Sequence, residues 1–136
     1  MVISTPMVAR AGGRLAGNGS VDYCTELDMT DTIDGQVCVD VSVARGNLES
    51  VVLSFHAGPE SEPINLISDG KGACTERITD ANAGRNVTLR TAARYFRASL
   101  TGYGADPAGS DAVVTYHYPS RLNAIITALN DAAATG

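Results

Sequence analysis

The sequence contains no tryptophan, and its few phenylalanines and tyrosines make up only 5% of the residues. A dedicated sugar-stacking platform is therefore poorly supported. Histidine is almost as scarce. His56 and His117 are the only two, both fall in strand-like segments, and neither a Gly-x-Ser-x-Gly elbow nor a Walker loop accompanies them. A Cys–His pair such as Cys74 with His56 would need a contact that sequence does not show, so no catalytic residues are expected and the chain reads as a non-enzyme. The cysteines Cys24, Cys38 and Cys74 are odd in number, which argues against a complete disulfide framework. Their spacings are also too wide for the paired ligands of structural zinc. Cys38, set among valines, reads as a small buried hydrophobe. Asp28, Asp31 and Asp34 stand three residues apart, not on the two-residue rhythm of an EF-hand loop. With Glu26 they leave a loop calcium site as an alternative to the expected solvated turn. No metal and no cofactor are expected.

Long apolar runs are missing too, so no segment reads as a membrane span, and the first ten residues lack the pattern of a secretory signal. Basic charge is in deficit: 10 Lys and Arg face 15 Asp and Glu, a net charge of -5. An acidic surface repels a phosphate backbone, which argues against nucleic-acid binding. The deficit is uneven, because residues 1–21 hold Arg10 and Arg14 and no acid. A basic arm on an acidic body suits electrostatic docking, and Arg10 and Arg14 are candidate partner contacts.

What the 136 residues do have is β-branched alternation. Residues 1–20 are rich in glycine and small side chains without a sustained period, and read as an extended arm. Val37, Val39, Val41 and Val43 then share one face of a strand. Asp34-Gly35 before them suits a type I′ turn, so a hairpin is expected between Tyr23–Ile33 and Gln36–Ala44. Val51, Leu53 and Phe55 mark another strand, with further candidates at Pro63–Ile67, Cys74–Thr79, Asn86–Thr91, Tyr95–Leu100 and Asp111–Tyr118. About 7–8 short strands between frequent turns predict an all-β fold, an antiparallel β-sandwich of jelly-roll or immunoglobulin-like type, over residues 21–136. Pro119 and Ser120 introduce a different period. Leu122, Ile125, Ile126 and Leu129 lie on one face of a short C-terminal α-helix expected over about 120–133. That stripe packs either on the sandwich itself or on another subunit, so Leu122, Ile125 and Leu129 are candidate contacts as well.

One strand interleaves bases with aromatics. Two-fold alternation turns Phe96, Ala98 and Leu100 inward, and Tyr95, Arg97 and Ser99 outward. Tyr95, Arg97 and Tyr103 are therefore candidate surface or glycan contacts, against the plainer reading of a charged outer face.

The stretch Val87-Thr88-Leu89-Arg90, followed by Ala93-Arg94-Tyr95-Phe96-Arg97-Ala98-Ser99-Leu100-Thr101-Gly102, resembles a feature of the β-sandwich accessory virion proteins of tailed bacteriophages. In those proteins a Gly-rich turn and a final strand, here Ala112–Tyr118, follow. A similar phrase occurs in discoidin-like carbohydrate-binding sandwiches. The resemblance implies a capsid decoration, or cement, protein that binds and stabilises the shell of major capsid protein. It further implies a homo-oligomer, a trimer foremost, located in the virion after assembly in the host cytoplasm. The alternatives are a tail, head–tail connector or fibre-base protein, and a carbohydrate-binding module.

Overall fold

The computed structural model describes residues 4–10, 13–44, 48–58, 65–66, 75–79, 84–104 and 109–122, together with 125 and 129. Its strands are β1 (Ser4–Arg10), β2 (Arg14–Leu15), β3 (Asn18–Tyr23), β4 (Leu27–Asp28), β5 (Gln36–Val43), β6 (Ser50–Gly58), β7 (Asn65–Leu66), β8 (Thr75–Thr79), β9 (Gly84–Arg90), β10 (Tyr95–Tyr103) and β11 (Ser110–Pro119). They form two antiparallel sheets. The first runs β1-β11-β5-β9 with β2 also on β11; the second runs β3-β10-β6-β7 with β4 also on β10 and β8 also on β6. Taking β1 with β2, β3 with β4 and β7 with β8 as interrupted edge strands leaves four strands per sheet. The chain changes sheet at almost every step and stays in one sheet only between β6 and β8. That path is the jelly roll, two Greek keys folded into a sandwich.

The inner faces carry the alternation that the sequence displays. Val37, Val39 and Val41 of β5, Val51, Leu53 and Phe55 of β6, Phe96, Ala98 and Leu100 of β10, and Ala112, Val114 and Tyr116 of β11 are all buried. Burying apolar side chains of this size stabilises by roughly 1.5–3 kcal/mol apiece, and this double layer is the main source of cohesion. One polar group crosses it. The strand beside β10 breaks between Tyr23 and Leu27, where Cys24 still donates its N–H to the Ala98 carbonyl at 2.9 Å. Ala98 N–H finds its acceptor on the opposite sheet, the Tyr116 hydroxyl at 2.8 Å. The same ring meets Phe96 edge-on, with centroids 5.5 Å apart. Burial pushes the Tyr116 phenol far above its usual range.

Residues 4–10 are not a free arm. Ser4–Arg10 pairs along β11 from Ser4 opposite Pro119 to Arg10 opposite Val114, with a bulge between Val8 and Arg10. Arg14 and Leu15 continue along the same strand opposite Asp111 and Ser110. Ala9 is core and Met7 packs against it. The period is hard to read because the inward set Thr5, Met7 and Ala9 is mixed in polarity while an apolar Val8 and Pro6, tolerated on an edge strand, face outward.

The Asp34-Gly35 turn forms as expected, but it does not close a hairpin. Both residues have positive φ, 59° and 62°, and Gln36 N–H reaches the Ile33 carbonyl at 3.2 Å. Glycine is required at the second position, since a Cβ there would lie 1.9 Å from the Thr91 carbonyl oxygen. Yet the turn feeds β5 between β11 and β9, while Tyr23 belongs to the other sheet. The segment before it crosses the sandwich, and Ile33 N–H bonds the Pro119 carbonyl.

The described residues Arg121, Leu122, Ile125 and Leu129 have helical backbone, but no C-terminal helix of the expected length stands among the described elements. Ser120, expected as its cap, is buried and donates to an Asp31 carboxylate oxygen at 2.5 Å, while the Leu122 N–H bonds the other oxygen at 2.8 Å. Leu122, Ile125 and Leu129 are exposed by 58%, 58% and 65%. Nothing among the described residues covers these three side chains, so the packing that stabilises a short helix in water is not supplied by the described part of the sandwich. Of the expected 120–133 helix, positions 123, 124, 126–128 and 130–133, Ile126 included, lie outside the described residues, as do Pro63, Ile67 and Cys74.

Candidate functional site

Because Phe96, Ala98 and Leu100 face the core, β10 turns Tyr95, Arg97, Ser99, Thr101 and Tyr103 to the outer face of the second sheet. Register adds their neighbours. Arg97 lies opposite His56 on β6, and Ser99 lies between Ser54 on one side and Tyr23 of β3 on the other. The Arg97 guanidinium sits 4.4 Å from the centre of the Tyr23 ring. Tyr23 in turn meets His56 edge-on at 5.6 Å, and His56 Nε2 hydrogen-bonds the Ser99 hydroxyl at 2.8 Å. These three side chains cover Ser99, which explains why a residue on an outer face is buried. Burial, and secondarily the Arg97 charge, hold His56 below the usual imidazole range, so it is neutral at pH 7. Arg97 Nε is buried without a hydrogen-bond partner among the described residues.

The pairing of arginine with tyrosine repeats along the sheet. Arg94 lies 5.2 Å from the Tyr95 ring at one end, and Arg77 of β8 lies 5.7 Å from the Tyr103 ring at the other. Arg77 also donates to the Ser50 hydroxyl at 2.7 Å. Each guanidinium lies over a π face that attracts it, by about 0.5–1 kcal/mol at an exposed site. Tyr23, Tyr103 and Val21 remain 52%, 43% and 51% exposed. The result is a row of large side chains on the outer face of the sheet.

Tyr95, Arg97 and Tyr103, the surface candidates read from sequence, thus stand together on one face. Tyr23 and His56 join them and were missed, because only strand register brings β3 and β6 alongside β10. The arm candidates are placed elsewhere. Arg10 is largely buried, ion-pairs with Asp22 at 2.8 Å and so ties the edge of one sheet to the other. Arg14 is exposed on β2. Leu122, Ile125 and Leu129 follow β11 and are exposed.

A second cluster lies outside the first sheet. Cys38 donates to Asn86 Oδ1 at 2.9 Å, Asn86 Nδ2 donates to Asp40, and His117 Nε2 lies 3.1 Å from Asp40. Cys38 is half-buried here, not a core residue as its valine neighbours suggested, because it occupies the outward phase of β5. Cys24 is the buried thiol, pushed up to about 11 by desolvation and then by Asp22. With Cys74 replaced by serine, maleimide near pH 8 is expected to modify Cys38 and to react with Cys24 at least about a hundredfold more slowly. Equal rates would contradict the burial of Cys24.

Two of the three aspartates weighed for calcium are engaged otherwise. Asp28 Oδ1 accepts from the Thr30 N–H at 3.0 Å and from its hydroxyl, holding the Met29–Asp31 turn. Asp31 accepts from Ser120 and Leu122.

Fold and surface together define a single jelly-roll sandwich with an exposed tyrosine–arginine sheet face. No protein-family model matches the chain, and no curated protein matches it. Solved structures do share the fold. The prophage-derived protein YomS of SPBc2 aligns with a TM-score of 0.55 at 12% identity, over 88% of this chain and 96% of that one. VP2 of infectious bursal disease virus aligns with a TM-score of 0.51 at 8% identity, over 88% of this chain and 33% of that one. A chain of the expanded capsid of equine rhinitis A virus, a picornavirus, aligns with a TM-score of 0.50 at 7% identity, over 84% and 71%. The chain therefore resembles a prophage-derived protein and viral capsid proteins in fold.

Proposed function

We propose that the chain is a non-enzymatic structural protein of a virus particle, and that it binds other virion proteins through the outer face of the β3-β10-β6 sheet. The observation that carries this reading is the row of tyrosines with arginines over them, the exposed Tyr23 and Tyr103 and the half-buried Tyr95. Tyrosine and arginine are the side chains most enriched at the energetic centres of protein interfaces, where lysine and glutamate are depleted. Stacking orders them before a partner arrives, which lowers the entropy cost of docking. The likeness in fold to YomS over nearly its whole length, and to two capsid proteins, supports placing that surface in a virion.

Within this class the proposed role is capsid decoration, with the major capsid protein as partner and the assembled virion as location. A repeated lattice rewards a small binder, because many weak contacts act together. The exposed Leu122, Ile125 and Leu129 are the proposed contacts between copies in a homo-oligomer, a trimer foremost, and Arg14 the remaining basic contact to a partner. A glycan-binding role would use the same rings. It is the weaker reading, since Arg97 already occupies one face of Tyr23.

Quantitative mass spectrometry of particles purified from the phage or induced prophage that encodes the chain tests the proposal. Decoration predicts a copy number close to that of the major capsid protein. A dozen copies or so would point to a connector or tail position, and absence from the particle would overturn the virion reading.

A further inference from the structure

At the end of the sandwich where β9 passes into β10, three arginines from separate parts of the chain line one cleft of about 680 Å³. Arg90 ends β9, Arg94 lies in the turn before β10, and Arg121 follows β11. Three of the chain's 10 basic side chains thus converge on an acidic protein. Arg94 is held in place by Asp28 at 3.6 Å and by the Tyr95 ring. Neither the Arg90 nor the Arg121 side chain has an ion-pair or hydrogen-bond partner among the described residues. Two unneutralised guanidinium groups around one cavity repel each other, and an anion between them reverses the sign of that interaction. Their planar forks match carboxylate geometry in particular. Asp34 on the lining limits how much negative charge the cleft accepts and where.

Size and position narrow the occupant. The volume equals that of about twenty water molecules, far more than an inorganic oxyanion fills. Long nucleic acid is disfavoured by the net charge of -5. The cleft also adjoins β9, the outermost strand of the first sheet among the described residues. An outermost strand offers main-chain hydrogen bonds to an extended segment laid beside it. We propose that this cleft binds an extended, carboxylate-rich polypeptide segment, with its backbone along β9 and its acidic side chains on Arg90, Arg94 and Arg121. The inference goes beyond the virion reading and does not depend on it, since it concerns another surface and a free peptide.

The test uses the full chain and a fluorescein-labelled peptide of alternating valine and glutamate, followed by anisotropy, with a valine–glutamine peptide for comparison. Saturable binding of the glutamate peptide is expected, weakened about tenfold between 50 and 300 mM salt. Arg90→Gln with Arg121→Gln is expected to weaken it about tenfold or more. Arg85→Gln, on the same strand but paired with Glu76 at 3.4 Å, should leave it unchanged, and Asp34→Asn should tighten it. Thermal melting of each variant checks the fold, and Arg121→Gln alone serves if the double variant does not fold. Equal affinity for the two peptides, or wild-type affinity in a folded arginine variant, would overturn the proposal. So would displacement of the peptide by inorganic phosphate or tetragalacturonate at the concentration at which unlabelled peptide displaces it.

Discussion

Tyr116→Ala is expected to destabilise the chain by about 3–5 kcal/mol. The residue is fully buried, so its removal leaves a cavity between the sheets as well as losing apolar burial. It also removes the edge-on contact with Phe96. The milder Tyr116→Phe separates out the polar part. It keeps the ring and deletes only the acceptor of the Ala98 N–H. That amide is orphaned because the strand beside β10 breaks between Tyr23 and Leu27, and leaving a buried donor unmade costs about 1–3 kcal/mol. Urea unfolding of the three proteins measures both effects. A Tyr116→Phe variant as stable as wild type would mean that the Ala98 amide has another acceptor.

The second large effect concerns binding, with stability nearly untouched. Tyr23 and Tyr103 lie on the outer sheet face and are 52% and 43% exposed. Truncating them to alanine removes little core. As interface anchors, each is expected to contribute about 2 kcal/mol or more, so the double variant should bind a virion partner about a thousandfold more weakly. The Arg97 and His56 positions make a less clean test. The Arg97 guanidinium stacks on Tyr23 and its Nε is buried, and His56 anchors Ser99, so changes there would disturb the sheet itself. Unfolding midpoints close to wild type are expected for Tyr23→Ala with Tyr103→Ala, which separates lost recognition from lost fold.

The strands of the inner layers were legible in the sequence because each is a β-branched or aromatic alternation. Val37, Val39 and Val41 face the core as their period requires, and so do Phe96, Ala98 and Leu100. Even the Asp34-Gly35 turn has the backbone its residues demand. Pairing was not legible. A turn fixes a local reversal and says nothing of which strands lie beside it, so the segment before Asp34 crosses to the other sheet instead of completing a hairpin. The same ignorance of register hid Tyr23 and His56, which become neighbours of Arg97 only through β3 and β6. Residues 4–10 were unreadable for another reason. An edge strand with a mixed inward set, Thr5, Met7 and Ala9, and with Pro6 and Val8 facing outward carries little periodic signal, although its Ala9 reaches the core. Arg10, read as a free contact, proved to clasp Asp22. The cationic cleft is a tertiary feature, assembled from Arg90, Arg94 and Arg121, and no local spacing announces it.

The central claim is that the outer face of the β3-β10-β6 sheet is what this protein presents to a virion partner. Co-sedimentation with capsid shells prepared without it, comparing wild type with the Tyr23→Ala and Tyr103→Ala double variant, tests it most directly. The account predicts saturable binding of the wild type and loss of binding by a double variant that still unfolds at the wild-type midpoint. Equal binding by the two proteins would contradict it.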